Sequence, residues 1–252
     1  MIQSIQRAVA LLRSFTEAEP ELGVTELSRR LKLHKSTVSR ILSTLQAEGL
    51  VGQNPETGKY RLGIGLVSLA GVALGRLDVR GAAQPFLNRL VEVTQETVNV
   101  TILDGRDCVN IERAASPQSI RYVGWIGRRT PLHCTASGKV LLAYMTSTQR
   151  AALLLLPLPQ HTAKTVTDLA TLNQQLQQIK QDGYAVVHEE FEEGFSAVAA
   201  PVWDLSGQVV AAISVSGPAF RLAPLQMEQF VFPLLEVTHQ VSAQLGYVVS
   251  GE

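Results

Sequence analysis

At 252 residues the chain is long enough for two domains, and its composition, 46% hydrophobic and 17% charged, is that of an ordinary globular protein. No apolar run approaches the ~20 residues that cross a bilayer, and the N-terminus has interior arginines and no small-residue cleavage site, which argues against a secretory leader and for a cytoplasmic protein. Formal net charge is zero, which excludes a uniformly basic nucleic-acid binder, yet residues 1–62 carry nine Lys/Arg against six Glu and no Asp.

In chain order, Ile5, Val9, Leu12 and Phe15 recur at helical spacing, widened by Ala8 and Leu11, and predict a first helix with one buried face. Pro20 and Gly23 punctuate the loop after it. Thr25 is placed to cap a second helix, whose inner face is Leu27 and Leu31. A third helix opens near His34 or Lys35, with Val38, Ile41, Leu42 and Leu45 as its buried stripe. Off that stripe lie Ser36, Thr37, Ser39, Arg40 and Ser43, and Arg29, Arg30, Lys32 and Lys35 gather nearby. Gly49 ends the helix. Leu50–Val51 and Tyr60–Leu62 then pair around a turn, forming a wing beside Lys59 and Arg61.

Hydroxyls and cations on an outward helix face suit phosphates and base edges in the major groove. On an isolated helix a solvated polar face is the simpler reading. Helix, turn, helix and hairpin in succession favour DNA. The candidate contacts are Arg7, Thr25, Lys35, Ser36, Thr37, Ser39, Arg40, Lys59 and Arg61.

Gly63–Ile64–Gly65 breaks the strand, and Leu66, Leu69, Val72, Ala73 and Leu77 predict a linker helix in which Gly71 and Gly75 permit close packing. Beyond it, Phe86, Leu87, Leu90 and Val93 mark a helix. Val98–Leu103 and Cys108–Arg113 read as strands about an Asp104–Gly105 turn, and a short strand is expected near Ile120–Val123. Helices are expected from Thr135 to Tyr144, over Leu169–Asp182 and over Pro224–Tyr247. A hairpin joins Val198–Trp203 to Val209–Val215. Helices around an antiparallel sheet make this region α+β.

Thr135 can cap the helix of HCTASGKVLLA, leaving first-turn amides at the positive end of its dipole. That end can take a carboxylate, or be no more than a capped terminus. Spacing rules out two enzymatic readings. A P-loop needs Gly at His133 and Ser/Thr at Val140, and a Ser-x-x-Lys nucleophile needs Ser at Ala136. Lys139 is expected on the helix surface. Ser214 and Ser216, two apart on a strand, face one side and hold either a polar ligand or backbone groups. Glu189, Glu190, Glu192 and Glu193 read as a solvated loop, and Arg128–Arg129 as an exposed turn. Cys108 and Cys134 read as reduced thiols, and His133, Cys134 and His188 lack metal-ligand spacing, so no metal and no cofactor are expected.

Taken together, QRAVALLRSF, VTELSRRLKLHKSTVSRILSTLQAEGLV, GKYRLG, RRTPLHCTASGKVLLA, GYAVVHEEFEEG, VAAPVWD and GQVVAAISVSGPAFRL resemble the IclR family of bacterial transcription regulators, in family order over nearly the whole chain. His34 departs from the Pro that often opens the family's recognition helix. The resemblance implies a winged helix-turn-helix domain over 1–62, a linker helix over 63–81 and a GAF-like domain over 82–252 that binds an effector and pairs subunits. Carried onto this chain, the family's effector cavity comprises Tyr122, Thr130, Ala136, Ser137, Val187, Phe195, Ala197, Ser214 and Ser216. Val187 replaces an acidic side chain that the position can hold.

The expected protein is a mixed α/β, ligand-responsive repressor of a catabolic operon. Its partners are double-stranded operator DNA, a small organic acid with an apolar or aromatic body, and itself as a dimer or dimer of dimers. It is expected not to be an enzyme. A ligand-converting enzyme with a DNA-tethering head, acting through Glu189, Glu190 or His188, is the second reading. A purely architectural DNA binder is the third.

Overall fold

The computed structural model describes residues 2–16, 18–74 and 78–248. The chain divides into two compact units, 1–76 and 77–252.

The first unit holds α1 (Gln3–Leu12), α2 (Val24–Leu31), α3 (Lys35–Ala47), the hairpin β1 (Val51–Gln53) and β2 (Tyr60–Leu62), and α4 (Gly65–Leu74). Its core is Leu11, Phe15, Leu22, Leu27, Val38, Leu42, Leu45 and Val51. Two expectations change here. The apolar stripe of α1 divides: Leu11 and Phe15 are buried, Phe15 beyond the helix end, while Ile5 and Val9 stay 58% and 41% exposed. Thr25 does not cap α2. That position falls to Gly23, whose amide donates to Glu26 Oε2 at 2.7 Å, while Thr25 sits exposed inside the first turn. The Glu26 carboxylate, at the third helical position, thus reaches back to the N-cap amide, one half of a capping box. The wing gains a third partner, since Leu22 and Tyr60 exchange backbone hydrogen bonds of 2.9 Å. The expected linker helix begins at Gly65 as α4, and Gly75 and Leu77 lie outside the described residues.

The second unit opens with α5 (Asp78–Thr94), then β3 (Thr97–Asp104), β4 (Asp107–Ala114) and β5 (Arg129–Pro131). There follow α6 (Ala136–Ala143), α7 (Ser147–Leu153), α8 (Leu169–Asp182), β6 (Ala185–His188), β7 (Phe195–Trp203), β8 (Val209–Pro218) and α9 (Pro224–Gln244). The six strands form one antiparallel sheet in the order β5-β4-β3-β8-β7-β6. Successive side chains leave a strand on opposite faces. Val98, Val100, Ile213 and Val215 therefore point to one face, covered by α5 and α9, which also pack on each other. Asn99, Thr101, Ala212 and Ser214 point to the other, where α6 lies with α8 behind it.

The strand expected near Ile120–Val123 is absent, and the edge place belongs to β5. Side chains, not a ladder, hold the 120–123 backbone: Arg221 donates to Ile120 O at 2.7 Å and Thr97 Oγ1 to Tyr122 O at 2.9 Å. The helix α7 and strand β6 were not among the expected elements.

Candidate nucleic-acid interface and ligand cavity

In the first unit the short link Lys32–His34 turns the chain between α2 and α3, with Lys32 in the left-handed region at φ 53°. His34 caps α3, its Nδ1 accepting from the Ser36 amide at 3.3 Å. This replaces the missing proline by a side-chain cap. Val38, Leu42 and Leu45 turn inward, so Lys35, Ser36, Ser39 and Arg40 stand exposed and Thr37 half-exposed. Arg30 is engaged by Glu19 at 2.8 Å. Lys59 Nζ lies 3.8 Å from Glu26, whose carboxyl the Gly23 amide, and less strongly Lys59, hold below its ordinary range. Lys35, Arg40 and Arg61 have no acidic partner among the described residues, so their charge faces water. Arg7 is half-buried on α1.

The second unit contains a cleft, and all nine side chains read as an effector cavity line it: Tyr122, Thr130, Ala136, Ser137, Val187, Phe195, Ala197, Ser214 and Ser216. Strand register brings them together. Ala197 pairs with Val187 on one side and Ser216 on the other, and Ser214 lies opposite Asn99. Tyr122 and Phe195 meet edge to face, ring centroids 5.5 Å apart.

At one wall stands the N-terminus of α6. Thr135 Oγ1 donates to Pro131 O at 2.7 Å and accepts from the Gly138 amide at 3.2 Å. The amides of Ala136 and Ser137 are left without a partner inside the helix. Only glycine fits at 138, because a Cβ there would run into the Leu132 backbone. Close approach to that strand end thus sets where the amides point.

The strands contribute lining residues beyond those nine. Asn99 and Thr101 of β3, Asn110 of β4, Cys134, Phe191 and Glu192 also face the cleft. The cue for the first three was available: polar residues at alternate places in VNVTIL and CVNIE repeat the pattern of Ser214 and Ser216. Val187 removes one acidic partner, but the two carboxamides restore polarity elsewhere.

Three expectations are corrected. Lys139 is not a surface charge. It is 1% exposed, 2.5 Å from Glu190 Oε1 and 2.8 Å from Gln175 Oε1. Burial pushes its pKa down, and Glu190 opposes the shift. Accordingly Glu190 is not solvated, being 7% exposed. Its carbonyl also accepts from Thr165 at 2.6 Å. Nor is Arg128 an exposed turn residue. Its guanidinium lies over Tyr122, Trp125 and Phe191, 4.8–5.6 Å from the ring centres, and pairs with Glu192 at 3.0 Å. One cation thereby joins the 122–128 loop to the 191–192 segment at the cleft.

The cysteines are free and buried, and burial pushes each thiol up to about 12, so neither is a ready nucleophile. His188 bonds to Ser196 and Glu189. His161, not His188, joins His133 and Cys134, their ligand atoms within 4.8 Å of one another. No described helix is long and apolar enough to cross a membrane.

Against known proteins, the profile of the IclR helix-turn-helix domain matches residues 4–55. That of the bacterial transcriptional regulator IclR C-terminal domain matches residues 71–243. The chain is 39% identical over 250 residues to the HTH-type transcriptional regulator XynR of Escherichia coli, covering 98% of each. It is 34% identical over 221 residues to the HTH-type transcriptional repressor AllR of the same species, covering 87% of this chain and 82% of that one. An IclR homologue from Microbacterium hydrocarbonoxydans, solved in complex with 4-hydroxybenzoate, matches with a TM-score of 0.86 and 26% identity, covering 97% of this chain and 99% of that one. These relatives are regulators rather than enzymes, so Glu189, Glu190 and His188 lose their catalytic reading. With both of its domains matched in order, the chain belongs to the IclR family of bacterial transcriptional regulators, DNA-binding proteins with a ligand-binding C-terminal domain.

Proposed function

We propose that the protein is a repressor of a catabolic operon, released or retained on its operator by a small organic carboxylate. The observation that carries the DNA half is the outward face of α3, where Lys35, Ser36, Ser39 and Arg40 stand clear while Val38, Leu42 and Leu45 are held inside. In this reading Thr37 joins that face, and Arg7, Thr25, Lys59 and Arg61 add phosphate contacts. A single winged head reaches few base pairs, so subunits act in pairs on half-sites spaced near multiples of ~10 bp. Exposed Ile5 and Val9 on α1 and Val67 and Leu69 on α4 support self-association. Operator binding places the work of the protein in the cytoplasm.

The effector's carboxylate sits on the Ala136 and Ser137 amides, helped by the helix dipole and by the Ser137, Ser214 and Ser216 hydroxyls. Its body lies against Tyr122, Phe195, Val187 and Ala197, with Thr130 at the wall. AllR's designation as a repressor and the 4-hydroxybenzoate held by the Microbacterium homologue support both halves. The effector acts only if it binds the DNA-competent and incompetent arrangements with different affinity. Fluorescence anisotropy on fragments of the protein's own promoter region at low ionic strength, with and without acids, tests the reading. Specific binding that an acid shifts is expected. Indifference to every duplex would overturn it.

Against the Tyr122 and Phe195 rings and Val187, benzoate-like or medium aliphatic acids are expected to raise the melting temperature more than glyoxylate or pyruvate. The reverse order would remove the apolar-body assignment.

A further inference from the structure

Four side chains in the cleft are at least nine-tenths buried and make no hydrogen bond with any described residue. They are Asn99, Ser137, Ser214 and Ser216, 2–7% exposed. Their neighbours differ. Thr101 donates to Asn110 Oδ1 at 2.9 Å, Thr135 bonds to Pro131, and Ser196 pairs with His188. A buried polar atom left unpaired is costly; Asn99 Oδ1 is such an atom, and three unpartnered hydroxyls in the same cleft stand with it as groups that a ligand completes. A carboxylate on α6 accounts for the serines, since a carboxylate accepts hydrogen bonds and hydroxyls donate them.

Asn99 remains. It lies opposite Ser214 across the β3–β8 ladder, and its Oδ1 is buried without a partner. Gly124 lies directly over that pole: a Cβ there would stand 2.6 Å from Asn99 Oδ1. A carboxamide offers a donor at one pole and an acceptor at the other. A hydroxyl can both give and take a hydrogen bond, so it complements whichever pole meets the cleft.

Building on the carboxylate reading above, we infer that the effector is a hydroxylated acid, with its carboxylate at α6 and a hydroxyl hydrogen-bonded to the Asn99 carboxamide. A site built for a hydroxyl rejects the analogue that lacks it, because its own polar group is then left unpaired. A site without such a partner prefers the less polar analogue, since burying the hydroxyl costs free energy. The sign of the preference is therefore diagnostic.

The test is calorimetric titration of the full chain with two matched pairs, 4-hydroxybenzoate against benzoate and gluconate against hexanoate. In at least one pair the hydroxylated member is expected to bind tenfold or more tightly than its partner. Asn99→Ala should shrink that ratio below threefold, by weakening the hydroxylated acid or by relieving the unpaired carboxamide that its partner meets. Unhydroxylated acids binding equally well or better in both pairs would overturn the inference and leave the carboxylate reading standing. So would an Asn99→Ala loss shared equally by both members. If none of the four acids binds, the carboxylate reading fails and the inference with it. The wild-type comparison decides the matter even if the variant does not fold.

Discussion

Lys139 Nζ and Glu190 Oε1 lie 2.5 Å apart with both side chains buried, tying the helix at the cleft wall to the segment after β6. Removing one partner strands the other charge in the interior, at a cost of about 3–5 kcal/mol. Lys139→Met and Glu190→Leu should each lower stability by that order in urea denaturation. The double variant should regain at least half of the loss, because two apolar side chains leave no orphan charge. Additive losses in the double variant would show that the pair is not coupled.

Gly138→Ala places a methyl group against the Leu132 backbone. Overpacking of this kind costs about 1–3 kcal/mol. It also displaces the α6 amides. The variant should lose more than tenfold in affinity for a carboxylate ligand while DNA affinity without ligand changes little. Unchanged acid binding by calorimetry would remove the α6 N-terminus from the site.

His133 is buried, its Nε2 2.8 Å from Pro159 O, and burial holds its pKa below the ordinary histidine value. The sign follows from linkage. The unfolded chain takes up a proton before the folded one does, so the contribution is fully present above the unfolded pKa of about 6.5. It is lost as pH falls from there through the folded pKa. Melting temperature should fall below that pH in the wild type, and fall less steeply in His133→Gln. Parallel curves for the two proteins would contradict it.

On DNA, Arg40→Ala and Lys59→Ala should separate by kind of contact. A cation reading a base edge is worth about 1–3 kcal/mol, and its loss relaxes sequence preference. A phosphate contact weakens all duplexes alike and reduces the salt slope by about 0.9. Anisotropy across several salt concentrations, with operator and scrambled duplexes, should place Arg40 in the first class and Lys59 in the second.

Much of the architecture was legible because local signals agreed. The helix α8 runs over its expected residues, with the Asp168 carboxylate accepting from the Thr171 amide at one end and Gly183 at φ 82° at the other. The hairpin β7–β8 was marked by two apolar runs, Val198–Trp203 and Val209–Val215, around the turn Asp204–Leu205–Ser206–Gly207. What escaped detection lacked period or proximity. The seven residues of α7 are too few to show a stripe. The helix α6 is buried on every side, so Lys139 sits on a face that no pattern distinguishes from a wetted one. Its partner Glu190 lies 51 residues further on, a pairing that tertiary packing alone creates. The nine cavity residues came through family resemblance, whereas Asn99, Thr101 and Asn110 were visible as polar alternation but went unread.

The central strands carry two messages written on alternate residues. Val98, Val100, Ile213 and Val215 bind the sheet to its helices, while Asn99, Thr101, Ser214 and Ser216 address the cleft. Because neither set shares a position with the other, chemical taste can evolve without loosening the scaffold. A biosensor could be retuned to a new metabolite by editing every second residue and leaving the ones between untouched.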